Sequence, residues 1–233
     1  MMLWHRTVGK GQNLVLLHGW AFSSDVFQPL VIKYKKDYCI TLIDLPGHGR
    51  SPDLDGGIHT WCNEIIKFIP EKSILLGWSL GGLLSIFIAN KIKLNELILV
   101  ASSPCLVNND NWNLGIKNEI FDQFVINLKT DSTKALKRFV SLQSKNKSQI
   151  NELHKSIQKY PASQSALDNG LEIIINSDLR TQYKNILTPK KCILGTHDTL
   201  IPAKIQDWYE DNASKTHIIK TGHLPFLEKN FEI

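Results

Sequence analysis

Cysteine is scarce, with four among 233 residues, and Cys39, Cys62, Cys105 and Cys192 stand far apart with no CxxC pair. That spacing excludes a zinc knuckle and a dense disulfide framework and leaves buried or idle thiols. Long apolar runs are absent too. Nothing approaches the roughly 18 to 20 consecutive apolar residues of a spanning helix, and the N-terminal MMLWHRTVGKGQ carries charge where a secretory leader has its apolar stretch. A cytoplasmic protein is expected. Charge of one sign is also in short supply: the net value is +5, mild for this length, so nucleic-acid binding would need those charges gathered into a stripe. No internal repeat and no low-complexity tract suggests a solenoid or a tail. What is present is 42% hydrophobic and 21% charged residues, a balance that excludes disorder and a coiled coil and fits one globular domain with a sizeable core.

The first half alternates short β-branched runs with longer helical patterns, the signature of an α/β chain with a mostly parallel sheet. Strands are expected at Leu14–Leu17, Tyr38–Ile43, Ser73–Leu76 and Glu96–Val100, with helices at Asp25–Lys35, Ile58–Ile69 and Leu80–Lys91. From about Asn108 to Asp178 the sequence turns polar, rich in Lys, Asn and Ser, with helical periodicity, and reads as an inserted helical lid; residues 1–107 and 179–233 would form the core. The core pattern then resumes with a strand at Lys191–Leu194, a helix at Pro202–Asp211 and a strand at Thr216–Ile219. In such a sheet ligands bind beyond the carboxyl ends of the strands. The chemistry is therefore to be sought in HGWAFSSD, DLPGHGRSPD, GWSLGG and ASSPC.

Gly77-Trp78-Ser79-Leu80-Gly81 fits G-x-S-x-G and lies between the apolar run SILL and the helical run LGGLLSIFIAN. That strand, turn and helix setting is what a serine on a tight turn requires, whereas a bare G-x-S-x-G elsewhere would be no more than a capping serine. A serine hydroxyl needs a base to take its proton, and the base needs a carboxylate to hold it. Of the eight histidines, His223 follows the last expected strand on a Gly/Pro loop. His5 precedes the core strands, His59 starts a helix, His154 lies in the insertion and His217 within a strand. Asp198 follows the penultimate strand, while Asp207 and Asp211 lie in or beyond the next helix; a turn or capping role is the bland alternative for Asp198. Donors for a developing oxyanion would be the backbone N–H groups of Leu80, directly after the serine, and of Trp20, in the loop after LVLL where Gly19 permits close approach. Trp20 and Trp78 would flank the serine as apolar walls of an acyl pocket, or else be core residues, the commoner fate of tryptophan. Asp44 and His48 lack any accompanying metal-ligand spacing, and a serine nucleophile needs no metal. No cofactor is expected.

With these three residues in this order, the chain resembles the α/β-hydrolase family over nearly its whole length. Within it, Gly77 to Gly82, Ala101-Ser102-Ser103-Pro104-Cys105, Arg138-Phe139 with Leu142-Gln143, Asn169-Gly170-Leu171-Glu172-Ile173 and Asp178-Leu179-Arg180 are similar to the esterases of biotin synthesis that cleave the methyl ester of pimeloyl-acyl carrier protein. The resemblance implies a triad of Ser79, Asp198 and His223. It implies substrate contacts from Trp20, Leu80, the segment Phe139-Val140-Ser141-Leu142-Gln143 and His223, and carrier contacts from Lys134 and Arg138, with Lys147 and Lys155 by a looser correspondence. The partner would be acyl carrier protein bearing a pimeloyl methyl ester, and the enzyme a monomer. Members of that group continue past the histidine into a full C-terminal helix, whereas here only ten residues follow His223, so a short or missing helix and a less firmly anchored histidine loop are expected.

Charge gives separate support. Residues 129–159 hold eight Lys or Arg against Asp131 and Glu152, a net of +6, leaving about −1 for the rest. Such a face suits an acidic protein, although a solvated helical surface would look the same. The insertion carries neither the apolar face of a membrane-binding helix nor a nucleic-acid motif. A general short-chain carboxylesterase would share the triad and ignore the carrier. A non-catalytic hydrolase-fold binding protein would have no need of all three residues.

Overall fold

Alternation of side chains builds the sheet. Leu14 and Leu16 face one apolar cluster while Val15 and Leu17 face another, and Ile98 and Val100 are split in the same way from Leu97 and Leu99. Strands apolar on both faces must be covered twice, which is the condition of a parallel sheet between helical layers. In the computed structural model, which describes residues 2–233, seven strands do this: β1 (His5–Gly9), β2 (Gln12–Leu17), β3 (Tyr38–Ile43), β4 (Ile74–Trp78), β5 (Glu96–Val100), β6 (Lys190–Gly195) and β7 (Ser214–Ile219). Their spatial order is β1-β3-β2-β4-β5-β6-β7, with only β1 antiparallel to its neighbour.

Nine α-helices accompany them among the described residues: α1 (Gln28–Tyr34), α2 (Ile58–Ile66), α3 (Leu80–Ala89), α4 (Asn118–Thr130), α5 (Ser132–Leu142), α6 (Lys147–Lys159), α7 (Gln164–Asn176), α8 (Arg180–Asn185) and α9 (Gln206–Asp211). Helix α3 is apolar all round and buried over nearly its length, as a helix packed against the centre of the sheet must be. Its first turn comes so close to β2 that a Cβ on Gly81 would stand 2.2 Å from the Leu17 carbonyl oxygen, so only glycine permits the approach.

Three expectations are corrected. The strand β1 escaped the sequence reading because HRTVG is an exposed edge with no apolar run; His5 therefore opens the sheet rather than preceding it, its ring against Phe68. The helix expected at Asp25–Lys35 is a 3₁₀ turn, Ser24–Phe27, followed by α1, with Pro29 in the first turn where its missing N–H costs nothing. Pro202–Asp211 is likewise a 3₁₀ turn, Ala203–Ile205, leading into the short α9.

Segment 108–178 contains α4 to α7, and its two ends meet. Cys105 bridges Asp178, the Leu179 N–H donates to the Pro104 carbonyl at 2.7 Å, and Arg180 donates to Asp178 and to the Asn111 carbonyl (2.8 Å). The SSPC and DLR strings are thus the two halves of one staple. Beyond His223 the chain makes a 3₁₀ turn at Pro225–Leu227 and no α-helix, yet Phe231 is fully buried and its carbonyl accepts from the Tyr34 hydroxyl at 3.0 Å. Among the described residues no helix is long and apolar enough to cross a membrane.

Candidate active site

Ser79 joins β4 to α3 with φ 54° and ψ −117°, a conformation L-residues avoid and that costs on the order of 1–3 kcal/mol. Neighbours hold it there. The Ser79 N–H donates to the Val100 carbonyl at 3.0 Å, and its own carbonyl accepts from the Ser102 hydroxyl at 2.7 Å and from the N–H groups of Gly82 and Leu83. Ser102, from the ASSPC loop, thus braces the turn of Ser79 from a neighbouring strand end, a contact that the motif alone does not announce.

Asp198 sits in the loop after β6, its side chain fully buried. One carboxylate oxygen accepts the N–H groups of Leu200 (2.8 Å) and Ile201 (3.0 Å); the other accepts from His223 Nδ1 at 2.7 Å. Asp198 thus caps its own turn with one oxygen while the other meets the imidazole. With its Nδ1 proton committed to Asp198, His223 keeps a lone pair on Nε2, which is buried and makes no hydrogen bond. Ser79 Oγ does not bond to it in this state. Catalytic hydrogen bonds often lengthen in free enzymes and close only around substrate.

The histidine loop is held from both sides. The His223 N–H donates to the Gln143 carbonyl (2.9 Å), and its carbonyl accepts from Trp78 Nε1 (2.8 Å). This corrects the reading of Trp78 as a pocket wall. Its indole lies 1% exposed among Phe22, Phe226 and the His223 ring, beneath the histidine, because successive residues of β4 point to opposite faces. Trp20 is placed differently: its Nε1 donates to the Leu167 carbonyl of α7 (2.9 Å), and its ring stands edge-on to Phe139 and Phe124 at 5.0 and 5.5 Å. Phe124 was not expected; its only signal was an apolar position on a polar helix. Among the described residues, the backbone N–H groups of Trp20 and Leu80 find no acceptor, and that of Leu80 opens α3, at its positive end.

The run Phe139–Gln143 does not act as one surface. Consecutive residues of a helix are turned by about 100°, so Phe139 and Leu142 border a groove of about 760 Å³ between α4 and α5 while Val140 packs into the core. Ser141 is exposed, its hydroxyl donating to the Lys137 carbonyl (2.9 Å), and Gln143 is buried against the histidine loop. Lys134 and Arg138 line the same groove, and Lys147 and Lys155 lie exposed on α6. Lys155 already pairs with Glu152 at 2.9 Å.

Asp44 belongs to the framework. Its buried carboxylate accepts from the N–H (2.8 Å) and hydroxyl (2.6 Å) of Ser24 and from the N–H (3.0 Å), Nε (2.7 Å) and Nη2 (3.1 Å) of Arg50. Arg50 in turn lies between Trp4, 3.4 Å from its ring centroid, and Tyr160. Burial by itself would raise the Asp44 pKa, but the Arg50 hydrogen bonds, with smaller contributions from nearby His18 and from the Ser24 hydrogen bonds, together outweigh it and hold the carboxyl below its ordinary value. A depressed native pKa contributes stability that is present above the unfolded value, about 3.9, and is lost as pH falls through the native one. Asp44→Ala is expected to cost about 3 kcal/mol by stranding Arg50, roughly 6–12 °C in Tm for a chain of this size, and to shrink the loss of stability below pH 4. Thermal melts of both proteins across pH 2–7 check both parts.

The model of the alpha/beta hydrolase family matches residues 14–232. Among curated proteins, the pimeloyl-[acyl-carrier protein] methyl ester esterase of Pseudoalteromonas atlantica is 33% identical, covering 95% of this chain and 91% of that protein. The protein of the same name from Nitrosomonas europaea is 34% identical, covering 95% and 92%. Among solved structures, an esterase from Exiguobacterium antarcticum superposes with TM-score 0.88 at 21% identity, over 97% of this chain and 90% of that one. The enol-lactonase of Burkholderia xenovorans gives 0.83 at 17%, over 97% and 91%. Identities that low speak for the fold alone.

Proposed function

Because the chain belongs to the alpha/beta hydrolase family, we propose that it is a serine carboxylesterase that hydrolyses the methyl ester of pimeloyl-acyl carrier protein, releasing methanol and the free carboxylate, in biotin synthesis. The observation that carries this reading is identity of a third, along nearly the whole length, with esterases named for that substrate. Segment 108–178 is read as the lid over the site, the remainder as the core, and the enzyme as a cytoplasmic monomer.

In the proposed cycle His223 Nε2 takes the Ser79 proton as Oγ attacks the ester carbonyl, and the oxyanion is held by the N–H groups of Trp20 and Leu80. Asp198 stabilises the imidazolium. Collapse breaks the carbon–methoxy bond, and His223 gives its proton to the departing oxygen. Water, deprotonated by the same nitrogen, then attacks the acyl-enzyme and frees the carboxylate and Ser79.

Docking of the carrier is assigned to Lys134 and Arg138, which line the groove that ends at Phe124 and Phe139 against Trp20. Charge reversal of both is expected to lower kcat/KM on the carrier substrate on the order of 10²-fold while leaving p-nitrophenyl butyrate within about twofold, since paired charges act on encounter and register rather than on the ester. Equal rates on the carrier substrate for both proteins would favour the general carboxylesterase.

A further inference from the structure

His18 ends the strand-to-loop passage that leads to Trp20 and is fully buried, with both ring nitrogens engaged. Nε2 accepts the N–H of Leu45 at 2.9 Å. An acceptor there needs a lone pair, so the ring proton sits on Nδ1 and is donated to the Gly19 carbonyl at 2.8 Å. The imidazole is therefore neutral with a fixed tautomer, and burial, which pulls its pKa below the ordinary value, favours the same form.

The Gly19 carbonyl and the Trp20 N–H belong to one peptide unit. No described peptide is cis, and in a trans plane the two groups point in opposite directions. Whatever fixes the carbonyl therefore aims the N–H. This unit lies against the nucleophile, since a Cβ on Gly19 would come within 3.3 Å of Ser79 Cβ. The turn around it is strained, with Ala21 at φ 66° and only a 3.3 Å bond from the Phe22 N–H to the same Gly19 oxygen closing it. A turn held that weakly by its own backbone needs an external clamp.

We propose that His18 is the clamp: a positioning residue that touches no substrate and, through the Gly19 carbonyl, holds the Trp20 N–H on the developing oxyanion. Leu45 supplies the fixed point, because it follows Asp44, whose carboxylate ties down Ser24 and Arg50 on either side. The inference rests on the esterase reading and concerns the ester carbonyl alone, so it is tested without the carrier.

The test compares p-nitrophenyl butyrate with its thiono analogue, in which sulfur replaces the carbonyl oxygen and accepts hydrogen bonds poorly. For His18→Ala, kcat on the oxygen ester is expected to fall on the order of 10²-fold with KM within about threefold, while the thiono ester loses less than about tenfold. His18→Asn, which puts an amide N–H near the position of Nδ1–H, is expected to recover at least about tenfold of the loss on the oxygen ester. Equal losses on both esters, or no rescue by asparagine, would make His18 a packing residue and overturn the proposal. Activity of His18→Ala within about threefold of the unaltered chain would do the same. Failure of the esterase reading looks different: the unaltered chain would cleave neither ester, and the oxyanion would vanish with it.

Discussion

Ser79→Ala is expected to lower kcat for ester hydrolysis by about 10⁴- to 10⁶-fold, a loss of roughly 5–8 kcal/mol of transition-state stabilisation. The hydroxyl contributes almost nothing to the fold: Ser79 is held in its strained conformation by backbone bonds and by the Ser102 hydroxyl on its carbonyl. Thermal stability should therefore be unchanged or slightly raised. Because nucleophile and base act as a unit, Ser79→Ala with His223→Ala should be scarcely slower than either alone. Steady-state kinetics of the three variants, with melting curves as the control for folding, check this; a loss below tenfold for Ser79→Ala would remove the serine from the mechanism.

Asp198→Asn is expected to cost about 10⁴-fold in kcat with little change in KM. The amide can turn its oxygen toward the N–H groups of Leu200 and Ile201, which now bond one carboxylate oxygen. Its NH₂ then faces Nδ1, where the 2.7 Å bond requires an acceptor. The ring must move its proton to Nε2, the atom that has to receive one from Ser79. The imidazolium formed in the reaction also loses its partner. A pH–rate profile distinguishes this from a local collapse, since a tautomer fault leaves folding intact and lets activity recover as hydroxide replaces the lost base at high pH. Full activity of the variant at neutral pH would contradict the assignment of Asp198.

Legibility in the sequence followed the strength of local pattern. Tyr38–Ile43 and Glu96–Val100 could be bounded from sequence because they are buried runs closed by turn residues. His5–Gly9 could not, since an edge strand with exposed side chains has no period to detect. The three candidate catalytic residues were legible because each follows a strand, and the sheet brings strand ends together. Side-chain direction was not: Trp20 and Trp78 both adjoin expected catalytic groups, yet one meets Phe124 and Phe139 and the other supports His223 from below. Nor could sequence show that the Gln143 carbonyl reaches the His223 N–H or that His18 reaches the Gly19 carbonyl. Such contacts depend on backbone paths between elements, and no residue type announces them.

Carrier-linked ester hydrolysis by Ser79 is decided by methanol release from methyl pimeloyl-acyl carrier protein, measured beside hydrolysis of p-nitrophenyl butyrate. Turnover of both by the unaltered chain is expected, with the carrier substrate preferred in kcat/KM, and loss of both in Ser79→Ala. Cleavage of the small ester with no methanol from the carrier substrate would contradict it.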